Sequence, residues 1–489
     1  MHRRRLFKAS AFATAAVFFL SATSVSSEEF RTEHDLLGEK QVPADAYYGI
    51  QTLRALENFQ ISGRTIRDYP EFVRALALVK LAAARANHDV GDLDKQVLKG
   101  IEMACTAIMD GKYHDQFMVD LYQGGAGTST NMNANEVIAN VALEMMGHKK
   151  GQYDIVEPHD HLNMSQSTND FYPTALKVAM VDYNEKILAE ALLLAKSFKA
   201  KGKEFEEILK MGRTEMQDAV PMTLGQEFMA FGSGIEAEIA TLRLLEAELY
   251  PLNMGGTAIG TGLNASKRFP KKCAKHVAKL TGKPFVVAED LISATSDLHA
   301  FVLYSSALRG LAVKLNKIAG DLILLSSGPR AGLFEINLPA LQPGSSIMPG
   351  KVNPVIPELV NLVAYRVRGN DVTVGQAAGA GQLQLNAYEP VIATAVFESQ
   401  TLLISTLRTL RTRCVDGITP NPKQLQAYVE RSIGIVTALN PVLGYDKSTE
   451  LAIEALATDK GLLELIREKR LMTEEEIEEL LDARKMTGQ

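Results

Sequence analysis

Four long stretches of the chain carry apolar side chains at steps of three or four residues. In the first, Leu176, Met180, Tyr183, Ile187, Ala191, Leu194 and Phe198 share one face of a 3.6-residue helix. Leu224, Phe228, Phe231, Ile235, Ile239 and Leu242 form a second stripe. Leu298, Phe301, Ser305, Leu308, Ala312, Leu315, Ala319 and Leu322 form a third. Residues 391–410 make the fourth, and 357–373 read as a further helix. The first helix is predicted to run roughly 30 residues, about 45 Å at 1.5 Å per residue. Several such helices in succession predict an elongated bundle. No stretch of matching length alternates as a strand would. The apolar arcs are wide for one five-helix bundle, which points to homo-oligomer contacts or to cover by the terminal domains.

The flanks read differently. Residues 31–166 are mixed, with helix-like runs at 72–86 and 96–109. After the bundle, Asn421-Pro422 and Asn440-Pro441 are read as turns. Thr473 with Glu476 is a capping box that opens a final short helix. The chain thus divides into residues 1–27, an N-terminal domain at 28–166, a central helical bundle at 167–424 and a C-terminal helical domain at 425–489.

Residues 1–8 are basic and 9–22 apolar or small, followed by small residues to Ser27. That is the plan of an export signal, cleaved near Ser26 or Ser27. Arg3-Arg4-Arg5-Leu6-Phe7-Lys8 resembles the twin-arginine pattern, a route for folded proteins. The expectation is a periplasmic protein with no membrane attachment once the signal is removed. An uncleaved anchor, or a misassigned start and a cytoplasmic protein, is the alternative.

Composition narrows the function. A chain of 489 residues with a formal charge of −6 has no basic excess to hold nucleic acid. Its 3 cysteines build no disulfide framework. No apolar run reaches the roughly 18 residues of a membrane span.

Chemistry concentrates in four polar loops. They are residues 124–131 (GGAGTSTN), 165–170 (SQSTND), 212–218 (GRTEMQD) and 344–354 (GSSIMPGKVNP). Each is dense in hydroxyls and amides, donors that can converge on carboxylate oxygens. For the first three taken alone, helix caps and tight turns are the favoured explanation of the composition. The fourth adds Lys351 and flanking glycines, Gly344 and Gly350, and reads as a lid. His159-x-His161 has metal-ligand types but no partner at familiar spacing, so no metal site is expected. The glycine-rich residues 255–262 follow a helix and lack a Lys-Ser/Thr ending, so they are not read as a phosphate loop. Cys105, Cys273 and Cys414 have no evident catalytic partner.

Residues 344–354 resemble the signature of the fumarase/aspartase superfamily, and the other three loops resemble its remaining active-site segments, in order. The likeness runs from about Arg31 to the end. It implies an all-α fold: a central five-helix bundle between small N- and C-terminal domains, four bundles forming a twenty-helix core in a homotetramer. It also implies active sites built from loops of three subunits. Within the superfamily, Asp35-Leu-Leu-Gly38, residues 42–49 (VPADAYYG), Ser167-Thr168-Asn169 and residues 351–358 (KVNPVIPE) resemble the aspartate ammonia-lyase branch. Glu215 departs from the pattern: fumarases carry His there, and aspartases His or Gln. Phe334 and Leu362 also stand where relatives often have polar residues.

The resemblance implies reversible elimination of ammonia from L-aspartate to give fumarate. Ser345 would be the general base, its oxygen sheltered by backbone N–H groups near Lys351 when the lid closes. Thr128, Ser167, Thr168 and Ser346 would hold the carboxylate that takes up charge. Thr214, Lys351 and Asn353 would hold the α-carboxylate, and Asn169 with Thr128 the amino group. Glu215 is read either as a partner of the substrate ammonium or as a structural hydrogen bond, and Glu358 as a support. No cofactor is expected, though a divalent cation as activator is known among such enzymes. Fumarate hydration, a lyase for a related amino dicarboxylate, and an exported helical scaffold without catalysis are the competing readings.

Overall fold

The structure, a computed structural model, describes residues 29–482 and 486–487. The expected export signal at residues 1–27 lies outside the described residues. The N-terminal part opens with an antiparallel ribbon, β1 (Phe30–Asp35) and β2 (Gly38–Pro43), followed by α1 (Ile50–Asn58), α2 (Pro70–Val90), α3 (Lys95–Met109) and α4 (Thr128–Met145). Next come α5 (Thr168–Glu204), the hairpin β3 (Leu209–Thr214) and β4 (Gln217–Thr223), and α6 (Leu224–Glu246). A smaller excursion holds β5 (Pro251–Leu252), α7 (Phe269–Thr281), β6 (Val286–Val287) and α8 (Ser293–Ser296). Then follow α9 (His299–Leu325), β7 (Ile336–Asn337), α10 (Val355–Gly379), α11 (Glu389–Arg413) and β8 (Thr419–Pro420). The chain ends in short helices α12 (Pro422–Arg431), α13 (Val436–Leu443), α14 (Tyr445–Thr458), α15 (Leu462–Glu468) and α16 (Glu474–Leu480).

Helices α5, α6, α9, α10 and α11 form the bundle that the apolar stripes predict. Helix α5 has 37 residues, about 55 Å of rise. It starts where Ser167 and Asp170 make a capping box. Pro173 inside it cannot donate to the Asn169 carbonyl one turn back. Asn253 Nδ2 takes that place, donating to the Asn169 carbonyl at 2.9 Å. At its other end α5 meets α6 closely: a Cβ on Gly225 would lie 2.5 Å from the Gly202 carbonyl oxygen, so only glycine fits at the crossing.

One apolar core joins the N-terminal helices to the bundle, from Ala55 to Leu425. A separate small core gathers Val429, Ile435, Leu451, Leu462, Ile466 and Ile477 against Met211 of β3. The capping box at Thr473 and Glu476 opens α16 as expected. The turn read at Asn440-Pro441 is corrected: both residues lie inside α13. Pro441 removes one intrahelical bond near the helix end, and the Gly444 N–H closes onto the Asn440 carbonyl at 3.0 Å.

The bundle leaves an apolar face uncovered. Leu359, Leu362, Tyr365 and Val372 of α10 and Val313 of α9 are all exposed, Leu362 at 66%. Contiguous exposure of this kind marks a contact surface.

Candidate active site

The first two polar loops meet at one end of the bundle. Thr128 is the first residue of α4 and Thr168 the first of α5, and both, with Ser167, line one cavity of about 540 Å³. Two helix N-termini therefore open onto it, an arrangement that favours a bound anion. Gly127 before Thr128 has φ of 90°, and a Cβ there would lie 2.6 Å from the Tyr172 ring. The turn that aims Thr128 into the cavity thus requires glycine. Thr128 Oγ1 donates to the Gly125 carbonyl at 2.8 Å. Thr168 is buried, and its Oγ1 accepts from Asn131 Nδ2 at 3.1 Å. Asn169 flanks the cavity; its Nδ2 donates to the Ala258 carbonyl at 2.7 Å.

Three buried groups to which the sequence gives no individual role hold this end together. Asp170 accepts the N–H groups of Ser167, Gly255 and Thr257, each at 2.9 Å. Burial pushes its carboxyl up to about 7, against the pull of those N–H bonds. The glycine-rich loop at 255–262 is thereby bound to the start of α5, and its Thr257 and Ala258 form a wall of the cavity. Lys80, fully buried, donates to Gln166 Oε1 at 2.9 Å and Asn163 Oδ1 at 3.2 Å, and lies 3.9 Å from the centre of the Phe171 ring. Burial holds its ammonium well below the ordinary lysine range. Asn131 joins Asn163 to Thr168 from within α4. The signal available was the run of asparagines at 131, 133 and 135, all buried on one helix.

His159 and His161 each have a partner of another kind. His159 Nε2 pairs with Gln51 Nε2 at 2.9 Å, and His161 Nδ1 accepts the Glu157 N–H at 2.9 Å. Among the described residues no three His, Cys, Asp or Glu side chains stand together as ligands. All three cysteines are buried, and burial pushes the Cys105 and Cys273 thiols up strongly and Cys414 up to about 12. They are inert.

The other two loops lie at the opposite end. Thr214 and Glu215 are exposed at the tip of the β3–β4 hairpin, which follows the C-terminus of α5. Glu215 and Met216 both have positive φ, 51° and 66°. A two-residue turn of this hand usually takes Asn-Gly, so the tip is strained. Among the described residues, Glu215 has no hydrogen-bond or ion-pair partner, and the same is true of the Ser346, Lys351 and Glu358 side chains, all exposed.

The fourth loop is clamped at its foot. The Gly344 N–H donates to the Lys351 carbonyl at 2.7 Å, and Asn353 Nδ2 donates to the Gly344 carbonyl at 2.8 Å. A Cβ on Gly344 would lie 2.7 Å from the Asn353 nitrogen. Gly344 thus serves close packing, not the free hinge read from the sequence. Gly350, with φ of 83° and nothing near its missing side chain, has the freedom that Gly344 lacks. Inside the loop, Ser345 Oγ accepts the Ile347 N–H at 3.2 Å and the Met348 N–H at 3.0 Å. Glu358 sits in the first turn of α10, directly beyond the loop.

Within one chain the eleven predicted residues therefore form two groups. Thr128, Ser167, Thr168 and Asn169 stand at the start of α5. Thr214, Glu215, Ser345, Ser346, Lys351, Asn353 and Glu358 stand beyond its far end, about 55 Å away along the helix. The single chain does not bring the groups together.

The chain resembles known proteins along most of its length. The family described as "Lyase" matches residues 38–369, and "Fumarase C C-terminus" matches residues 435–488. The chain is 54% identical over 457 residues to the aspartate ammonia-lyase of Pseudomonas canavaninivorans, covering 93% of this chain and 96% of that one. It is 51% identical over 461 residues to that of Escherichia coli strain K12, covering 94% and 96%. Its fold matches the fumarate lyase:delta crystallin from Brucella melitensis bound to cobalt with a TM-score of 0.90 at 49% identity, over 94% of this chain and 99% of that one. The class II fumarase from Schistosoma mansoni matches with a TM-score of 0.87 at 35% identity, over 94% and 99%. With relatives matched over 93% or more of its length, the chain belongs to the fumarase/aspartase superfamily, and within it to the aspartate ammonia-lyase family of carbon–nitrogen lyases.

Proposed function

We propose that the protein converts L-aspartate reversibly to fumarate and ammonia, in a homotetramer whose sites are built from the polar loops of three subunits. The observation that carries the mechanism is the pair of backbone N–H groups on Ser345 Oγ. A neutral serine is a poor base. Peptide N–H donors favour its ionised form, and Lys351 in the same loop adds a positive charge. The serine oxygen removes the proton from the carbon beside the side-chain carboxylate. The electron pair moves into that carboxylate, giving an enediolate-like dianion, and returns to expel ammonia.

The charge develops only on the way to the intermediate, so donors fixed beforehand lower the barrier. Thr128, Ser167 and Thr168, with the N-termini of α4 and α5, face that carboxylate; Ser346 completes the set from another subunit. Thr214, Lys351 and Asn353 hold the α-carboxylate, and Asn169 lies toward the amino group. Each well-placed donor contributes about 3 kcal/mol in comparable oxyanion sites. Proton removal and charge stabilisation are both met by these groups, so the elimination runs without a cofactor. The exposed apolar face on α10 and α9 supports the tetramer. The basic and apolar leader at residues 1–27 supports export to the periplasm, which cell fractionation tests.

The functional test supplies L-aspartate and L-malate separately and follows fumarate by its ultraviolet absorbance and ammonia by titration. The expected result is fumarate and ammonia in equal amounts from aspartate, and no comparable fumarate from malate. Faster formation from malate would instead make the protein a hydratase.

A further inference from the structure

Behind the β3–β4 hairpin runs a buried chain of charges that the reaction above does not use. Glu335, fully buried just before β7, meets Arg213 through one carboxylate oxygen and Lys210 Nζ at 2.8 Å through the other. Lys210, also buried, holds Glu227 of α6 at 2.7 Å. The Arg213 guanidinium lies 5.4 Å from the centre of the Tyr428 ring of α12. The Tyr428 hydroxyl donates to the Leu333 carbonyl at 3.0 Å, and the Asn421 N–H to the Glu335 carbonyl at 2.9 Å. Two cations of strand β3 meet on the Glu335 carboxylate, and through them helix α6 and the first C-terminal helix join the cluster.

Stability alone is a poor reason for this cluster. Buried ion pairs are often no more stable than well-packed apolar residues, yet breaking one strands a charge. What the cluster does hold is position. Arg213 is covalently next to Thr214, and the register of β3 and β4 shifts between Met211 and Arg213, a bulge of the kind that re-aims a side chain. The bridge to Glu335 therefore anchors the strand immediately before the strained Glu215-Met216 turn, a conformation that survives only where its surroundings impose it. From Glu335 the backbone passes through β7 to Gly344, the clamped foot of the Ser345 loop. The geometry points to Glu335 as a positioning residue that, through Arg213 and β7, fixes the Thr214 hairpin and the Ser345 loop in one frame. It touches no substrate. The kinetic part of this inference rests on the aspartate reading; the structural part does not.

The test compares Glu335→Gln with Glu227→Gln in the full-length protein, each checked for its oligomeric state. Glu335→Gln is expected to raise KM for L-aspartate about fivefold and lower kcat about tenfold, because both carboxylate-holding and proton-removing groups lose their register. Amide exchange in residues 209–217 and 336–353 should rise together, with α5 unchanged. Glu227→Gln should lower the melting temperature and leave KM and kcat within about twofold. If Glu335→Gln does not assemble, Arg213→Lys is read in its place, with the same rise in KM and in exchange. The inference is overturned if exchange rises in only one segment or neither, if a folded Glu335→Gln keeps both constants, or if Glu227→Gln shows the same kinetic loss. Should the unaltered protein make no fumarate from aspartate, the functional reading fails, and the exchange measurement alone decides the positioning role.

Discussion

Ser345 Oγ accepts the backbone N–H of Met348 at 3.0 Å, so the oxygen assigned to carry negative charge already faces a peptide dipole. This has a consequence independent of turnover. In Ser345→Cys the same N–H groups should stabilise a thiolate, bringing its pKa below the free-thiol value of about 8.5. At neutral pH a haloacetamide should then modify position 345 and spare the buried Cys105, Cys273 and Cys414, as mass spectrometry would show. A thiol titrating at or above the free value would mean that the loop does not favour an anion.

Gly127→Ala should be severe. The new methyl would meet the Tyr172 ring at 2.6 Å, on a backbone with φ of 90°. Strain and overpacking together should cost about 2–4 kcal/mol of stability, and displacement of Thr128 should lower kcat by about tenfold or more. Denaturant melts and steady-state kinetics measure the two effects separately.

Glu136 gives the stability a pH dependence. Its carboxylate accepts N–H groups from Gly49, Gln51 and Thr52 and the Thr52 hydroxyl, fixing the start of α1. Burial nevertheless pushes its pKa up to about 7. The unfolded chain releases this proton near pH 4.3, as an ordinary glutamate does (about 4.3). Between those values the folded state holds the extra proton, so this group's contribution to stability falls as pH rises, by about 1.4 kcal/mol per unit, and levels off above about 7. Unfolding of Glu136→Gln measured from acid to neutral pH should lack that slope.

The separation of the two residue groups along α5 predicts complementation. Ser345→Ala and Thr168→Ala should each be inactive alone. Mixed oligomers made by co-refolding should contain sites with both native residues and regain roughly a quarter of the native turnover. No recovery in verified mixed oligomers would mean that one subunit supplies both residues.

Much of this architecture is legible in the residue pattern, for physical reasons. The stripe from Leu176 to Phe198 has the helical period because one face of α5 is buried along its length. The start of α16 is written in Thr473 and Glu476, since a capping box is local. Contacts distant in sequence are not local and left no pattern. Glu335 and Arg213 are 122 positions apart, and neither stands out in its own segment. Asp170 lay inside a polar loop already noted, but its task, holding the Gly255 and Thr257 amides, needed the fold to bring residues 255–262 alongside. Within that glycine-rich segment, Thr257 and Ala258 wall the cavity. Gly344 read as a hinge because nothing in its neighbours' identities shows that Asn353 closes over it.

The most direct test of the central claim is the turnover of L-aspartate by Ser345→Ala, measured on protein shown to retain its native assembly. Loss of the base should reduce kcat by about 100-fold or more, with substrate still bound through the other donors. Retention of more than about a tenth of the native kcat would contradict the assignment of Ser345 as the group that removes the proton.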